Sequence, residues 1–212
     1  MRPGLASLLC LVTLGCSCNH TVVRHFPPDP GIPGIVHVDV ETAGSDKYWT
    51  IDITLAGGFL TETELPPKMA AQKTLSYSTG EMPGCMDEPT AEYRDGTYLA
   101  RCYSTHTDYG MRDITDIMAK QGQVSTVVWS RSLDPGWSIR RFGWNATLPI
   151  LAVLVDSSVP QENPLAWILG FFGHPPPDET IHLIIVSPTT KMVRDITILR
   201  HIEYGYPRLL GW

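Results

Sequence analysis

The clearest pattern in this chain is an alternation of apolar and polar residues in its first quarter. Alternate positions from Val36 to Val40 are valine, and the segment Trp49–Leu55 alternates in the same way after a short polar turn. A period of two places successive side chains on opposite faces of an extended strand. The sequence therefore predicts a hairpin with one solvated face and one buried face, and Trp49 and Ile51 are expected to point inward.

Several later segments also have the character of short strands. They are rich in β-branched and aromatic residues and are separated by turns containing Gly or Pro. These segments are Thr74–Ser78, Thr97–Tyr103, Ser125–Ser130, Ile150–Val155, Ile181–Val186 and Asp195–Ile202. About eight short strands of this kind predict a mainly β fold, an antiparallel β-sandwich or barrel.

Two short segments favour helix instead. In Asp113–Gln121 the residues Ile114, Ile117 and Met118 fall along one side of a helix, which would end at Gly122. The sequence therefore predicts a modest helix over this segment.

The second helix candidate begins at Asn163 as N-cap, with Pro164 in the first helical position. The residues that follow, Leu165–Phe172, are apolar on all sides. Such a helix either lies in the core or offers Trp167, Phe171 and Phe172 to a lipid or a partner.

The N-terminus has the pattern of an export signal. Arg2 precedes the apolar run Leu5–Leu14, and small residues follow the run. Cleavage after Cys18 would release a mature chain. Alternatively, Thr13–Cys16 is a loose lipobox, in which Cys16 would carry a lipid and tether the protein to a bacterial membrane.

The chain accordingly divides into three parts. Residues 1–18 are predicted to be a signal peptide, residues 19–34 a Pro/Gly-rich N-terminal segment, and residues 35–212 a single β-rich domain. The formal net charge is −6. An acidic surface disfavours nonspecific nucleic-acid binding, so no nucleic-acid partner is expected.

After cleavage, Cys85 and Cys102 would be the remaining cysteines. Two thiols of one domain usually pair in an oxidising compartment. Between them lies Asp95-Gly96, a dipeptide typical of a type I′ hairpin turn. A disulfide across that hairpin is predicted; a catalytic Cys102 acting with His106 is the alternative.

Two of the three asparagines lie in acceptor sequons, Asn19-His-Thr and Asn145-Ala-Thr. Asn19 would be at the new N-terminus, which is a poor place for an acceptor. Asn145 is therefore the predicted glycosylation site in a eukaryotic or viral context.

Tryptophan and arginine are concentrated in one segment, residues 129–144. The candidate binding residues are Trp129, Arg131, Trp137, Arg140, Arg141 and Trp144. Tryptophan and arginine are enriched in binding hot spots, and the arginine fork suits carboxylate, sulfate or phosphate groups. The alternative is an intramolecular stack of guanidinium groups on indole rings.

Other polar groups give weaker hypotheses. His37, Asp39, Glu41 and Asp52 are expected on the solvated face of the first hairpin, either hydrated or around a calcium ion. His106 with Asp108 could form a general-base dyad. Neither a cofactor motif nor a metal motif is present in the sequence, so neither a cofactor nor a metal is predicted.

These observations favour a secreted or membrane-tethered, noncatalytic binding module. Its expected ligand is a protein partner or an anionic glycan, and a host-interaction or immune-modulating factor is one form it could take. Two alternatives stay open. One is an extracytoplasmic hydrolase using the histidine at 106, and the other is a lipid-binding β-barrel with Trp49, Trp167 and Phe172 lining a cavity.

Overall fold

The computed structural model describes residues 21–42, 48–65, 85, 90–108, 110–134, 136–159, 178–202 and 205–212. These residues form thirteen strands. The strands are β1 (Thr21–His25), β2 (Ile35–Thr42), β3 (Tyr48–Thr54), β4 (Phe59–Leu65), β5 (Thr90–Glu92), β6 (Tyr98–Thr107), β7 (Gly110–Gln121), β8 (Val124–Ser132), β9 (Trp137–Trp144), β10 (Leu151–Val159), β11 (Asp178–Ser187), β12 (Met192–Ile202) and β13 (Gly205–Gly211).

The strands form three antiparallel sheets. Sheet 1 has the order β1-β4-β3-β2-β13, sheet 2 the order β12-β11-β10-β9, and sheet 3 the order β5-β6-β7-β8. Most neighbouring strands are also consecutive in the chain, so hairpins account for most of the pairing. The prediction of a mainly β, antiparallel fold is confirmed.

Sheet 2 lies between the other two sheets, and β10 shows this directly. Ala152 and Leu154 belong to a first core shared with sheet 1, whereas Leu151, Val153 and Val155 belong to a second core shared with sheet 3. β11 divides its apolar side chains in the same way. A strand covered on both faces needs apolar residues at successive positions, which explains the apolar run in this part of the sequence.

The hairpin predicted from the alternation is formed by β2 and β3, which pair from Ile35 opposite Thr54 to Glu41 opposite Tyr48. Ile51 is fully buried and Trp49 packs against the first core. Asp52 is exposed on the other face. The predicted positions of Trp49, Ile51 and Asp52 are therefore confirmed, whereas Asp39, which was also expected on the solvated face, is buried.

The helix predicted over Asp113–Gln121 is wrong, because these residues form most of β7. β7 is paired with β6 on one side and β8 on the other, and Ile117 points into the second core. Strands pair with most of this segment on both sides and satisfy its backbone, whereas an isolated helix of nine residues is marginal in water. The second helix candidate and the strand candidate Thr74–Ser78 lie outside the described residues.

Cys85 and Cys102 form the predicted disulfide, with their Cα atoms 5.0 Å apart. β5 and β6 form the expected hairpin beside it. The turn type differs from the prediction, because Gly96 has a positive φ of 75° and Asp95 does not. A type I′ turn needs a positive φ at both central residues; the loop instead spans four residues between Tyr93 and Tyr98, whose backbones are hydrogen-bonded.

Part of the predicted N-terminal segment belongs to the fold, since β1 pairs with β4 at the edge of sheet 1. In the described ranges no helix is long and apolar enough to cross a membrane. The signal peptide and its cleavage positions lie outside the described residues and stay predictions.

Candidate functional site

The six Trp and Arg residues predicted as a patch are divided between two sheets. Trp129 and Arg131 lie on β8, at the edge of sheet 3, and the other four lie on β9, at the edge of sheet 2. A β-bulge in β9 sends the four in different directions. Ile139 lies opposite Val155 and Arg141 opposite Leu154, so Arg140 is the extra residue of the bulge.

Arg140 and Arg141 make contacts within the protein. Arg140 forms an ion pair with Asp156, whose side chain is only 5% exposed. Burial raises the pKa of Asp156, and the hydrogen bond and charge of Arg140 oppose that rise. The guanidinium of Arg141 donates to the backbone carbonyl of Leu209 at 3.4 Å.

Trp144 is held beside the hairpin of sheet 3. Its indole nitrogen donates to the backbone carbonyl of Ala91 at 2.9 Å. Its ring lies 5.5 Å from the ring of Tyr93 and 6.2 Å from that of Tyr98. Trp129 is half-buried and packs against the second core. These two tryptophans therefore contribute to packing.

Arg131 and Trp137 are linked to each other through two residues of sheet 2. Arg131 lies 3.4 Å from one oxygen of Asp195, and His182 Nδ1 lies 3.0 Å from the other. The indole of Trp137 covers the His182 ring, with ring centroids 4.6 Å apart. We call these four residues, Arg131, Trp137, His182 and Asp195, the Arg131 cluster.

The strands bring the Arg131 cluster together because all four side chains face the gap between sheets 2 and 3. Arg131 shares its strand face with Trp129, which packs against the second core. His182 lies opposite Val155, and Asp195 opposite Ile184, both residues of that same core. The His182 hydrogen bond, helped by the charge of Arg131, holds the pKa of Asp195 below its ordinary value.

His182 and Asp195 were not among the residues singled out from the sequence. The available signal was His182 itself, a polar residue inside the apolar run Ile181–Val186. A polar side chain inside a strand that is covered on both faces needs a partner when it is buried, and here the partner is Asp195.

β8 has a different kind of surface along its length. It is the last strand of sheet 3, and within the described residues it pairs only with β7. Three of its valines are exposed: Val124 (64%), Val127 (49%) and Val128 (43%). We call this strand, Val124–Ser132, the β8 edge.

Asn145, the predicted glycosylation site, is buried in the loop that follows β9. Its side-chain oxygen accepts hydrogen bonds from Thr147 N, Thr147 Oγ1 and Leu148 N at 2.8 to 3.0 Å. Its amide nitrogen faces the carbonyl of Pro33 at 3.4 Å. A glycan would replace one of the two hydrogens on this nitrogen, and glycosylation stays a prediction. Asn19 lies outside the described residues.

The carboxylates expected on one solvated face have different surroundings. Asp39 is buried and accepts a hydrogen bond from the hydroxyl of Tyr48. His37 and Asp52 are exposed and form a pair with 2.7 Å between Nδ1 and Oδ1. Among the described residues, no group of three or more potential ligands could hold a metal ion.

His106 and Asp108, the residues of the hydrolase hypothesis, are both exposed near the end of β6. Cys102 is engaged in the disulfide, so the alternative of a catalytic Cys102 is wrong for this oxidised form. Comparison with protein-family models, curated proteins and solved structures finds no match to the chain.

Proposed function

We propose that this protein is an extracytoplasmic, noncatalytic binding module that takes a protein partner on the β8 edge. The observation that carries the proposal is that β8, among the described residues, has a strand neighbour on one side only and carries three exposed valines. A free strand edge presents backbone donors and acceptors in the spacing that an extended peptide needs. The signal-like residues 1–18 and the disulfide support an extracytoplasmic location.

The side chains of the β8 edge indicate the chemistry of the partner. Valine, serine and threonine predominate, and Arg131 is its one charged residue. Arg131 points to Asp195 and leaves the strand's outward positions uncharged. The partner segment should therefore be an extended, uncharged strand rich in β-branched residues, added to β8 through backbone hydrogen bonds.

The proposal is tested by placing a charge on the edge. Labelled mature protein is applied to an array of purified extracellular protein domains, and the dissociation constant of each binder is measured with the variant Val127→Lys. We expect binding to weaken at least about tenfold, because an edge lysine hinders strand addition.

The matched control is Ile35→Lys. Ile35 is 42% exposed, close to the value for Val128, but its strand β2 has neighbours on both sides. This variant should bind normally. The proposal is overturned if the array yields no binder, or if the binders respond equally to the two lysine variants.

A further inference from the structure

The Arg131 cluster presents hydrogen-bond donors that the protein itself does not use. In the described chain, Arg131 is bonded through Nη2 only and His182 through Nδ1 only. Arg131 Nε and Nη1 and the indole nitrogen of Trp137 have no partner there. The side chains of Arg131 and His182 keep 32% and 14% of their surface open.

The two carboxylate oxygens of the Arg131 cluster, in contrast, are occupied. One oxygen of Asp195 faces His182 and the other faces Arg131. Asp195 is therefore satisfied from both sides, and the open groups around it are the N–H donors of Arg131 and Trp137 together with Nε2 of His182. Arg131 balances the charge of Asp195, so no net negative charge remains to repel an anion.

Asp195 also fixes which nitrogen of His182 carries the proton. Its pKa is lowered, so it is an ionised carboxylate that can only accept hydrogen bonds. His182 must then donate from Nδ1. In the neutral ring Nε2 is an acceptor, and it becomes a donor only when the ring is protonated.

We infer that the Arg131 cluster binds the sulfate or carboxylate group of an anionic saccharide, with Arg131 and protonated His182 as the charged donors. The guanidinium fork matches two oxygens of such a group. Trp137 adds an indole N–H and apolar ring surface, which suits a sugar carrying the anion better than a free ion. Arg131 also belongs to the β8 edge, but this site uses its side chain and not the strand backbone, and it does not depend on the proposed protein partner.

Binding should strengthen as the pH falls, because protonation of His182 gives the Arg131 cluster a net positive charge. The charged groups around His182 in the described chain are Asp195, in direct contact from β12, and Arg131, which reaches the same carboxylate from β8. Trp137 covers the ring from β9 and is uncharged.

The experiment measures binding of a sulfated octasaccharide, a carboxylated octasaccharide, a neutral octasaccharide and inorganic sulfate by calorimetry at pH 5.5 and pH 8. We expect at least one charged octasaccharide to bind more tightly at the lower pH by about tenfold, as for a hydrogen bond between charged groups. Inorganic sulfate should bind more weakly than that octasaccharide. The neutral sugar should not bind.

Three variants assign the binding to individual groups. Arg131→Ala should weaken binding at both pH values by about tenfold or more, His182→Asn should remove the pH dependence, and Trp137→Phe should weaken binding while keeping a ring on His182. Arg94→Ala, which removes one positive charge from an exposed loop, is the control and should change nothing. If Arg131→Ala does not fold, Trp137→Phe and His182→Asn still report on the site.

The inference is overturned if no charged octasaccharide binds, if the neutral sugar binds as well as the charged ones, or if Arg94→Ala weakens binding as much as Arg131→Ala. The last outcome would mean that the saccharide responds to overall charge and does not use the Arg131 cluster. Inorganic sulfate binding as tightly as the octasaccharides would equally overturn it, because the sugar would then contribute nothing.

Discussion

Breaking the ion pair between Arg140 and Asp156 should destabilise the protein to an extent that depends on pH. Arg140→Ala leaves the buried carboxylate without its cation. We expect it to lower the free energy of unfolding by about 2 kcal/mol at pH 7, below the cost of breaking a fully buried pair, because Arg140 is 42% exposed.

The loss in Arg140→Ala should shrink as the pH falls. Burial raises the pKa of Asp156 in the folded protein, and removing Arg140 raises it further. The folded state then binds the proton more tightly than the unfolded chain, so stability is greatest below the unfolded pKa and decreases as the pH rises through the folded one. Urea unfolding at pH 4 and pH 7 measures this, with Arg94→Ala as control. An equal loss of stability in Arg140→Ala at pH 4 and at pH 7 would contradict this prediction.

Asn145 gives a second prediction for a single residue. Its side-chain oxygen accepts three hydrogen bonds, so Asn145→Ala should cost about 1–3 kcal/mol even in protein made in bacteria, where no N-glycan is attached. Thr147→Val also destroys the sequon but loses only one of the three bonds and should cost less. Thermal unfolding of both variants measures the two losses of stability. Equal losses would contradict the prediction, because they would mean that the side-chain oxygen of Asn145 is not the main stabilising group of this loop.

At the scale of the elements, the sequence predicted strands well wherever one feature dominated the pattern. The alternation before Leu55 defines β2 and β3, and the apolar segments near Val155 and Val186 define β10 and β11. β7 was missed because Ile114, Ile117 and Met118 have helical spacing. In the strand, Ile117 is fully buried, whereas Ile114 and Met118 are only half-buried.

The candidate site could be predicted only in part. Composition pointed to Arg131 and Trp137, but their partner Asp195 is 64 residues from Arg131 along the chain, and only the stacking of sheet 3 on sheet 2 brings them together. The bulge in β9 also could not be predicted from the sequence. It separates Arg140 and Arg141 from the tryptophans, and a period of two cannot reveal an inserted residue.

At the scale of the whole molecule, sheet 2 contributes to both hydrophobic cores. One of its faces closes the first core and the other closes the second. Leu154 and Leu151 both lie on β10, both are fully buried, and they point into the first and the second core respectively. In a two-layer sandwich one face of such a strand would be solvated and tolerant of substitution.

We therefore expect Leu154→Ala and Leu151→Ala each to lower the free energy of unfolding by about 2–5 kcal/mol, as for large-to-small changes in a packed core. Ile35→Ala, at an exposed apolar position of β2, is the matched control and should cost much less. Urea denaturation of the three variants measures the difference. If either leucine variant were as stable as the control, the corresponding core would not be closed, and the three-layer arrangement around sheet 2 would be wrong.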